Sequence, residues 1–274
     1  MTKQEIYQSI INKKSCLCIG LDTDINHTNF PKELLNEEYP LFEFNKAIID
    51  ATHDVCVGYK PNFAFYEAHG SIGYKSLEMT MDYLNTNYPN LFTIADAKRG
   101  DIGNTSKMYA KAIFEQMNFD SVTLSPYMGS NTVDEFLKYK NKWVIILALT
   151  SNKSHTDFQL TQNKTDKLLY QQVIEKANTW GNVENTMLVV GATNPKYFKN
   201  IRALAPDNFF LVPGIGAQGG SADEVMQNAS NSNVGILISS SRSIILAAEN
   251  GINFAEVARQ KSVEFNNSIA QYLQ

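Results

Sequence analysis

With 274 residues, 43% of them hydrophobic, and a formal net charge of −4, the chain can bury a large core and carries no basic excess suited to nucleic acid. No Lys/Arg block stands out, the longest plain apolar run (WVIILAL, 143–149) is too short to span a bilayer, and the opening MTKQEIYQSIINKKS lacks the apolar core of a signal peptide. Cys16, Cys18 and Cys56 cannot all pair with one another, and Cys-x-Cys in an apolar stretch is not zinc spacing, so reduced, buried thiols in a cytoplasmic protein are expected.

In chain order, β-rich runs occur at SCLCIGLD (15–22), VCVGYKPN (55–62), LFTIADAK (91–98) and SVTLSP (121–126). Four more follow at WVIILALTS (143–151), MLVVGAT (187–193), FFLVPGIG (209–216) and VGILISSSR (234–242). Helical segments separate them. NTSKMYAKAIFEQM (104–117) presents Met108, Ala112 and Met117 as its apolar face, and KLLYQQVIEKANTW (167–180) presents Leu168, Val173 and Ala177. Strands alternating with helices imply parallel pairing through crossovers. Eight such units with no Pro/Gly/Ser linker predict an α/β fold, one (β/α)8 barrel domain over residues 1–274, with an open doubly wound sheet as the alternative. The C-terminal ends of the runs carry Asp22, Lys60, Asp96 with Lys98, Ser125, Ser151, Thr193, Gly216 and Arg242, on the face where barrel enzymes build their sites.

The third run ends in DAKRGDIG (96–103), an unusual concentration of charge for a buried strand. Side chains alternate along a strand, so Phe92, Ile94, Asp96 and Lys98 share one face and the two charges project together at the barrel rim. Asp-x-Lys alone is as well explained by a structural ion pair. Lys60 ends the neighbouring run, however, and strands about 4.8 Å apart let it join the same network. Asp101 lies beyond the strand, just before a helix expected to start at Asn104 or Thr105. It reads either as a loop or cap carboxylate or as a site residue that does not easily fold back onto its own Lys98.

DAKRGDIGNT (96–105) carries Asp-x-Lys-x-x-Asp-Ile/Val-x-x-Thr and resembles the orotidine 5'-phosphate decarboxylases, which form UMP in the last step of its synthesis. KPNFAFYEAHG (60–70) and PGIGAQGG (213–220) resemble the longer bacterial subgroup of that family, and the likeness runs along essentially the whole chain. The resemblance implies an alternating tetrad of Lys60, Asp96, Lys98 and Asp101, the last reaching into the site of a second subunit in a homodimer. Ile102 and Thr105 would cross the interface with it. It also implies Asp22 as a ribose-hydroxyl ligand and Ser151 as a ligand of the pyrimidine edge. Arg99-Gly100 departs from the bulky apolar or aromatic residues common there, and Ser241 replaces a common glycine. Loss of CO2 from C6 leaves an electron pair that no ring carbonyl simply delocalises. A fixed ammonium at C6 can stabilise that charge and then supply the proton. Lys98 is the candidate for both roles, with Asp96 near the substrate carboxylate and no metal or organic cofactor required.

PGIGAQGG contains Gly214, Gly216 and Gly219 in the dinucleotide pattern Gly-x-Gly-x-x-Gly, but the next strand ends in Arg242 where a dinucleotide fold wants an acid. Loops after the seventh and eighth barrel strands commonly hold phosphate, so Gly216, Gly219, Gly220 and Arg242 are expected to grip one, with Gln218 over the bound nucleotide. A plain structural turn is the alternative. SNKSHTDFQLTQNKTD (151–166) reads as a lid or as a surface insertion. His27, His53, His69 and His155 do not cluster at strand ends, so no metal site is expected from them. Two other readings compete. A metal-dependent phosphosugar lyase or isomerase would share Asp96, Lys98 and Asp101, but Lys60 would repel its cation. A non-catalytic nucleotide-binding module would not need every catalytic residue to be present.

Overall fold

The apolar runs become eight parallel strands: β1 (Leu17–Leu21), β2 (Gly58–Pro61), β3 (Phe92–Arg99), β4 (Ser121–Leu124), β5 (Trp143–Leu149), β6 (Thr186–Val190), β7 (Phe210–Pro213) and β8 (Ile236–Ser240). In the computed structural model, which describes residues 1–215 and 219–273, they pair in sequence order and β8 returns to β1, closing a barrel. Both faces of β5 and β6 are covered, which is why they read as continuous apolar runs rather than alternating ones. The (β/α)8 expectation therefore holds and the open sheet does not.

Helices α1 (Lys3–Lys13), α2 (Pro40–Thr52), α3 (Phe63–Glu67) and α4 (Gly70–Asn87) precede β3. Next come α5 (Gly103–Lys111), α6 (Asp134–Leu137), α7 (Leu169–Trp180), α8 (Pro195–Leu204) and α9 (Ala222–Ala229), then α10 (Arg242–Ile245) and α11 (Phe254–Ile269) after β8. Local chemistry sets several of their starts. Thr2 and Glu5 form a capping box on α1, Asn62 caps α3, and Ser221 caps α9. No helix among the described residues is long and apolar enough to cross a membrane.

Two helix faces differ from the periodicity reading. Helix α5 begins at Gly103, earlier than Asn104, and runs into a π-helical turn at Ala112–Gln116. The buried stripe is Ser106, Ala110, Ile113, Phe114 and Met117, which leaves Met108 on the outer side of α5 at 47% exposure. In α7 the inward residues are Tyr170, Ile174 and Ala177, with Leu168 and Val173 at the margin.

One buried polar cluster fixes the top of β1. Asn45 accepts from Thr23 Oγ1 at 2.6 Å and donates to Tyr66 Oη and Thr80 Oγ1 at 2.9 and 3.0 Å. Tyr66 in turn donates to the Leu21 carbonyl at 3.0 Å. Residues 21 and 23 are thereby tied to α2, α3 and α4, and Asp22 between them is held at the rim.

Candidate active site

Asp96 is the centre of the charged rim. Its Oδ2 accepts from Lys60 Nζ at 2.9 Å, and its Oδ1 accepts from Lys98 Nζ at 2.6 Å and from Thr123 Oγ1 at 3.1 Å. Lys60 also lies 3.7 Å from Asp22 Oδ1. The side chains of Lys60 and Asp96 are buried, while that of Lys98 is 52% exposed and reaches into the open cleft. Burial opposes the Asp96 charge, but Lys60 and Lys98 outweigh it and hold this carboxyl well below the usual carboxylate range. Burial likewise opposes the Lys60 ammonium, and Asp22 and Asp96 outweigh it, keeping this group above the usual lysine range.

Simple alternation does not by itself bring Asp96 and Lys98 together. The β3–β4 ladder slips between Ala95, opposite Val122, and Arg99, opposite Leu124. Within this irregularity Lys98 adopts a left-handed φ of 45°. Its peptide N–H donates to Thr123 Oγ1 at 2.9 Å instead of to a strand carbonyl. Thr123 therefore holds both the backbone of Lys98 and the carboxylate of Asp96. It is a site residue that motif and strand-end patterns do not mark; the signal in the sequence is a threonine on the inward face of SVTLSP, beside the charged strand.

A cleft of about 450 Å³ opens over this network. Leu147, Val189, Pro213 and Ile215 supply its apolar walls, and Asn62, Thr150 and Asn152 add polar groups. Asp22, Ser151, Gly214 and Arg242 also line it, so these expected residues do converge. Ser151 fits closely against the next strand end, where a Cβ on Gly191 would lie 2.6 Å from the Ser151 nitrogen. Arg242 has no carboxylate partner among the described residues and stands on the side of the cleft formed by β7 and β8. Gly219 has a φ of +83°, and Gly220 donates its N–H to the Gly214 carbonyl at 3.1 Å, drawing the loop ends together. Gly216 and Gln218 lie outside the described residues.

Asp101, Ile102 and Thr105 do not line the cleft of their own chain. The Asp101 carboxylate accepts from the Ile102 N–H at 2.8 Å, Ile102 is 51% exposed, and Thr105 is exposed within α5. Arg99 is drawn outward, paired with Glu67 at 2.5 Å and set against the rings of Phe63 and Tyr109. Segment 151–166 folds back on the barrel instead of hanging free, because Gln159 bonds the Thr150 N–H and hydroxyl, both at 2.8 Å.

A larger cleft of about 700 Å³ lies at the other end of the barrel, beside Lys13, Tyr88, Leu91 and Asp120. Its charged groups are engaged in holding the chain. Lys13 Nζ donates to the His53 and Cys56 carbonyls, and Asp120 accepts from the Thr93 N–H. At the smaller cleft, by contrast, charges face open space.

Closed barrel and rim together define a (β/α)8 enzyme in which one cleft holds the Lys98 ammonium on Asp96 and the Arg242 side chain on its β7–β8 side. Residues 15–256 match the model of the orotidine 5'-phosphate decarboxylase / HUMPS family, and the chain belongs to that family. It is 55% identical over 273 residues to the orotidine 5'-phosphate decarboxylase of Flavobacterium johnsoniae, covering 100% of this chain and 98% of that one. Among solved structures it resembles Leishmania donovani OMP decarboxylase, with a TM-score of 0.81 at 34% identity, covering 99% of this chain and all of the other. It also resembles Leishmania donovani UMP synthase, with a TM-score of 0.83 at 35% identity. There 97% of this chain is covered, but the chain spans only 56% of that longer protein.

Proposed function

We infer the activity from family membership and from the rim chemistry taken together. The chain decarboxylates orotidine 5'-phosphate to UMP and CO2, the final step of de novo pyrimidine nucleotide synthesis. The observation that carries the mechanistic reading is the half-exposed Lys98 ammonium, 2.6 Å from buried Asp96 and facing the cleft.

In this reading the C6–carboxylate bond breaks, CO2 leaves, and the electron pair stays on C6. Lys98 stabilises the developing charge through its fixed ammonium, then donates the proton that becomes the C6 hydrogen and is itself reprotonated from solvent. Lys60 and Thr123 keep Asp96 in place, and Asp96 keeps Lys98 aimed. Asp22 takes a ribose hydroxyl, Ser151 takes the pyrimidine edge, and Arg242 with Gly216, Gly219 and Gly220 takes the phosphate. Gln218 covers the bound nucleotide. No metal or organic cofactor enters the scheme. Lys60 argues against the metal-dependent alternative, because an ammonium at the end of β2 would repel a cation there.

The working unit in this reading is a homodimer, with Asp101, Ile102 and Thr105 of each subunit completing the other's site. Exposed Ile102, Met108, Tyr127 and Met128 support it, forming apolar surface on α5 and the loop after β4 that a second subunit would cover. A cytoplasmic location fits three buried cysteines that form no disulfide.

Lys98→Ala tests the scheme. Decarboxylation of orotidine 5'-phosphate, followed by UMP formation, should fall by at least about a thousandfold, within the range of a lost general acid plus a lost electrostatic contact. UMP should still bind, by calorimetry, within about tenfold of wild type, because one exposed charged contact is worth about 1 kcal/mol. Retention of a tenth of the activity would remove Lys98 from the proton-donor role.

A further inference from the structure

We propose that Ser241 is a substrate-binding residue whose hydroxyl, together with the Asp22 carboxylate, holds one ribose hydroxyl of the nucleotide. This rests on the reading of the cleft as a nucleotide site and adds to it a residue that the ribose contact of Asp22 alone does not include.

Ser241 Oγ and Asp22 Oδ1 are both buried, both lack a hydrogen-bond partner, and both belong to residues lining the cleft. They converge from the two strands that close the barrel. A Cβ built on Gly20 would lie 3.1 Å from Ser241 Oγ and 3.4 Å from Asp22 Oδ1, so both oxygens lie against the same glycine at the end of β1. The same Cβ would lie 2.7 Å from Ser241 Cβ, so only glycine at position 20 admits a serine at 241.

The hydroxyl is not consumed elsewhere. Ser241 occupies the residue before α10 but makes no side-chain cap bond. Its neighbours Ser240 and Ser243 bond to each other at 2.7 Å and leave it out. A carboxylate can only accept, whereas a serine hydroxyl can donate. One sugar hydroxyl satisfies both at once, donating to Asp22 Oδ1 and accepting from Ser241 Oγ. Among the described residues Ser241 Oγ has no partner and Asp22 Oδ1 has only the Lys60 ammonium at 3.7 Å, beyond hydrogen-bond length, so a ligand that supplies this group is selected over one that lacks it.

The experiment compares wild type, Ser241→Ala and Ser241→Gly on orotidine 5'-phosphate and on its 2'-deoxy and 3'-deoxy analogues. Wild type should prefer the natural substrate over one of the two analogues. Both variants should lose about tenfold in kcat/KM on the natural substrate, the size of one net hydrogen bond, and lose much less on that analogue. Circular dichroism and the urea midpoint identify a folding defect, and the glycine variant relieves the contact with Gly20 if alanine disturbs it. Unchanged kinetics in both variants, or an equal loss on all three substrates, would overturn the assignment. Absence of wild-type decarboxylation would instead remove the reading of the site. The three-way comparison could then be repeated as binding of UMP and its deoxy analogues.

Discussion

A carboxylate almost sealed from solvent survives at Asp96 because Lys60 and Lys98 both lean on it, and this dependence gives stability a pH signature. The folded carboxyl sits below its unfolded value of about 3.9, so its contribution is complete above about pH 5 and fades as pH falls through about 4 toward the folded value. Lys60 has the opposite sign: its raised folded value keeps its contribution intact below about pH 10.4, and loss begins as pH rises beyond that. Asp96→Asn should therefore destabilise the protein by about 3 kcal/mol at neutral pH, the lower end for breaking a buried pair. In urea titrations the gap between mutant and wild type should be flat from about pH 5 to 10 and narrow at both extremes. A gap that stayed constant down to pH 3 would mean that the pairing is not what the mutation removed. Asp96, Lys98 and Lys60 were legible in the sequence because a charge closing an apolar run must find a partner or a ligand to offset its desolvation. Asn45 was not, since a lone amide in a helix carries no mark of the partner it will meet, and for Thr123 the inward face was legible but not the two groups its hydroxyl holds.

Strands were easier to read than the geometry between them. All eight runs became strands because buried parallel strands announce themselves as apolar, β-branched stretches. The slip between β3 and β4 that turns Lys98 to a φ of 45° left no such pattern, and neither did the π-helical turn that follows α5. The β2–β3 pairing depends on a missing side chain in the same silent way. A Cβ on Gly58 would lie 1.9 Å from the Phe92 carbonyl oxygen, a backbone atom of the partner strand that cannot step aside. Gly58→Ala should cost about 3 kcal/mol or more, the top of the overpacking range, or prevent folding altogether. Gly219→Ala is the control: a Cβ there meets nothing within 4 Å among the described residues, and the φ of +83° should cost about 1–2 kcal/mol. Urea midpoints that ranked the two equally would show that the β2–β3 contact is not limiting.

Whether the molecule works alone or in pairs turns on Asp101, which is partly exposed and absent from its own cleft. If each site borrows this carboxylate, Lys98→Ala and Asp101→Ala subunits, each inactive as homodimers, should regain activity when mixed under subunit exchange. Random pairing makes about half of the dimers hybrid, and each hybrid carries one intact site, so about a quarter of wild-type activity should return in a simple two-site dimer. Exchange seen by labelling without any return of activity would refute the shared site. In the sequence this arrangement rested on the family resemblance, with a charge that overshot its strand in keeping with it; what covers a surface is not written in the chain that exposes it. The seam where β8 meets β1 has a consequence in time. On its β8 side Leu17 finds a partner only at Ile238, so synthesis is nearly finished before the barrel can shut. Until then Asp22, Lys60 and Asp96 belong to a growing sheet whose open edge invites other strands, and the nascent chain is exposed to misassembly. Docking of the last strand ends that hazard and, in the same event, brings Ser241 and Arg242 across from Asp22. A ribosome therefore releases either a sealed barrel with its cleft complete or a sticky, inactive sheet, and a chain stopped before β8 should be cleared by proteolysis without ever turning over substrate.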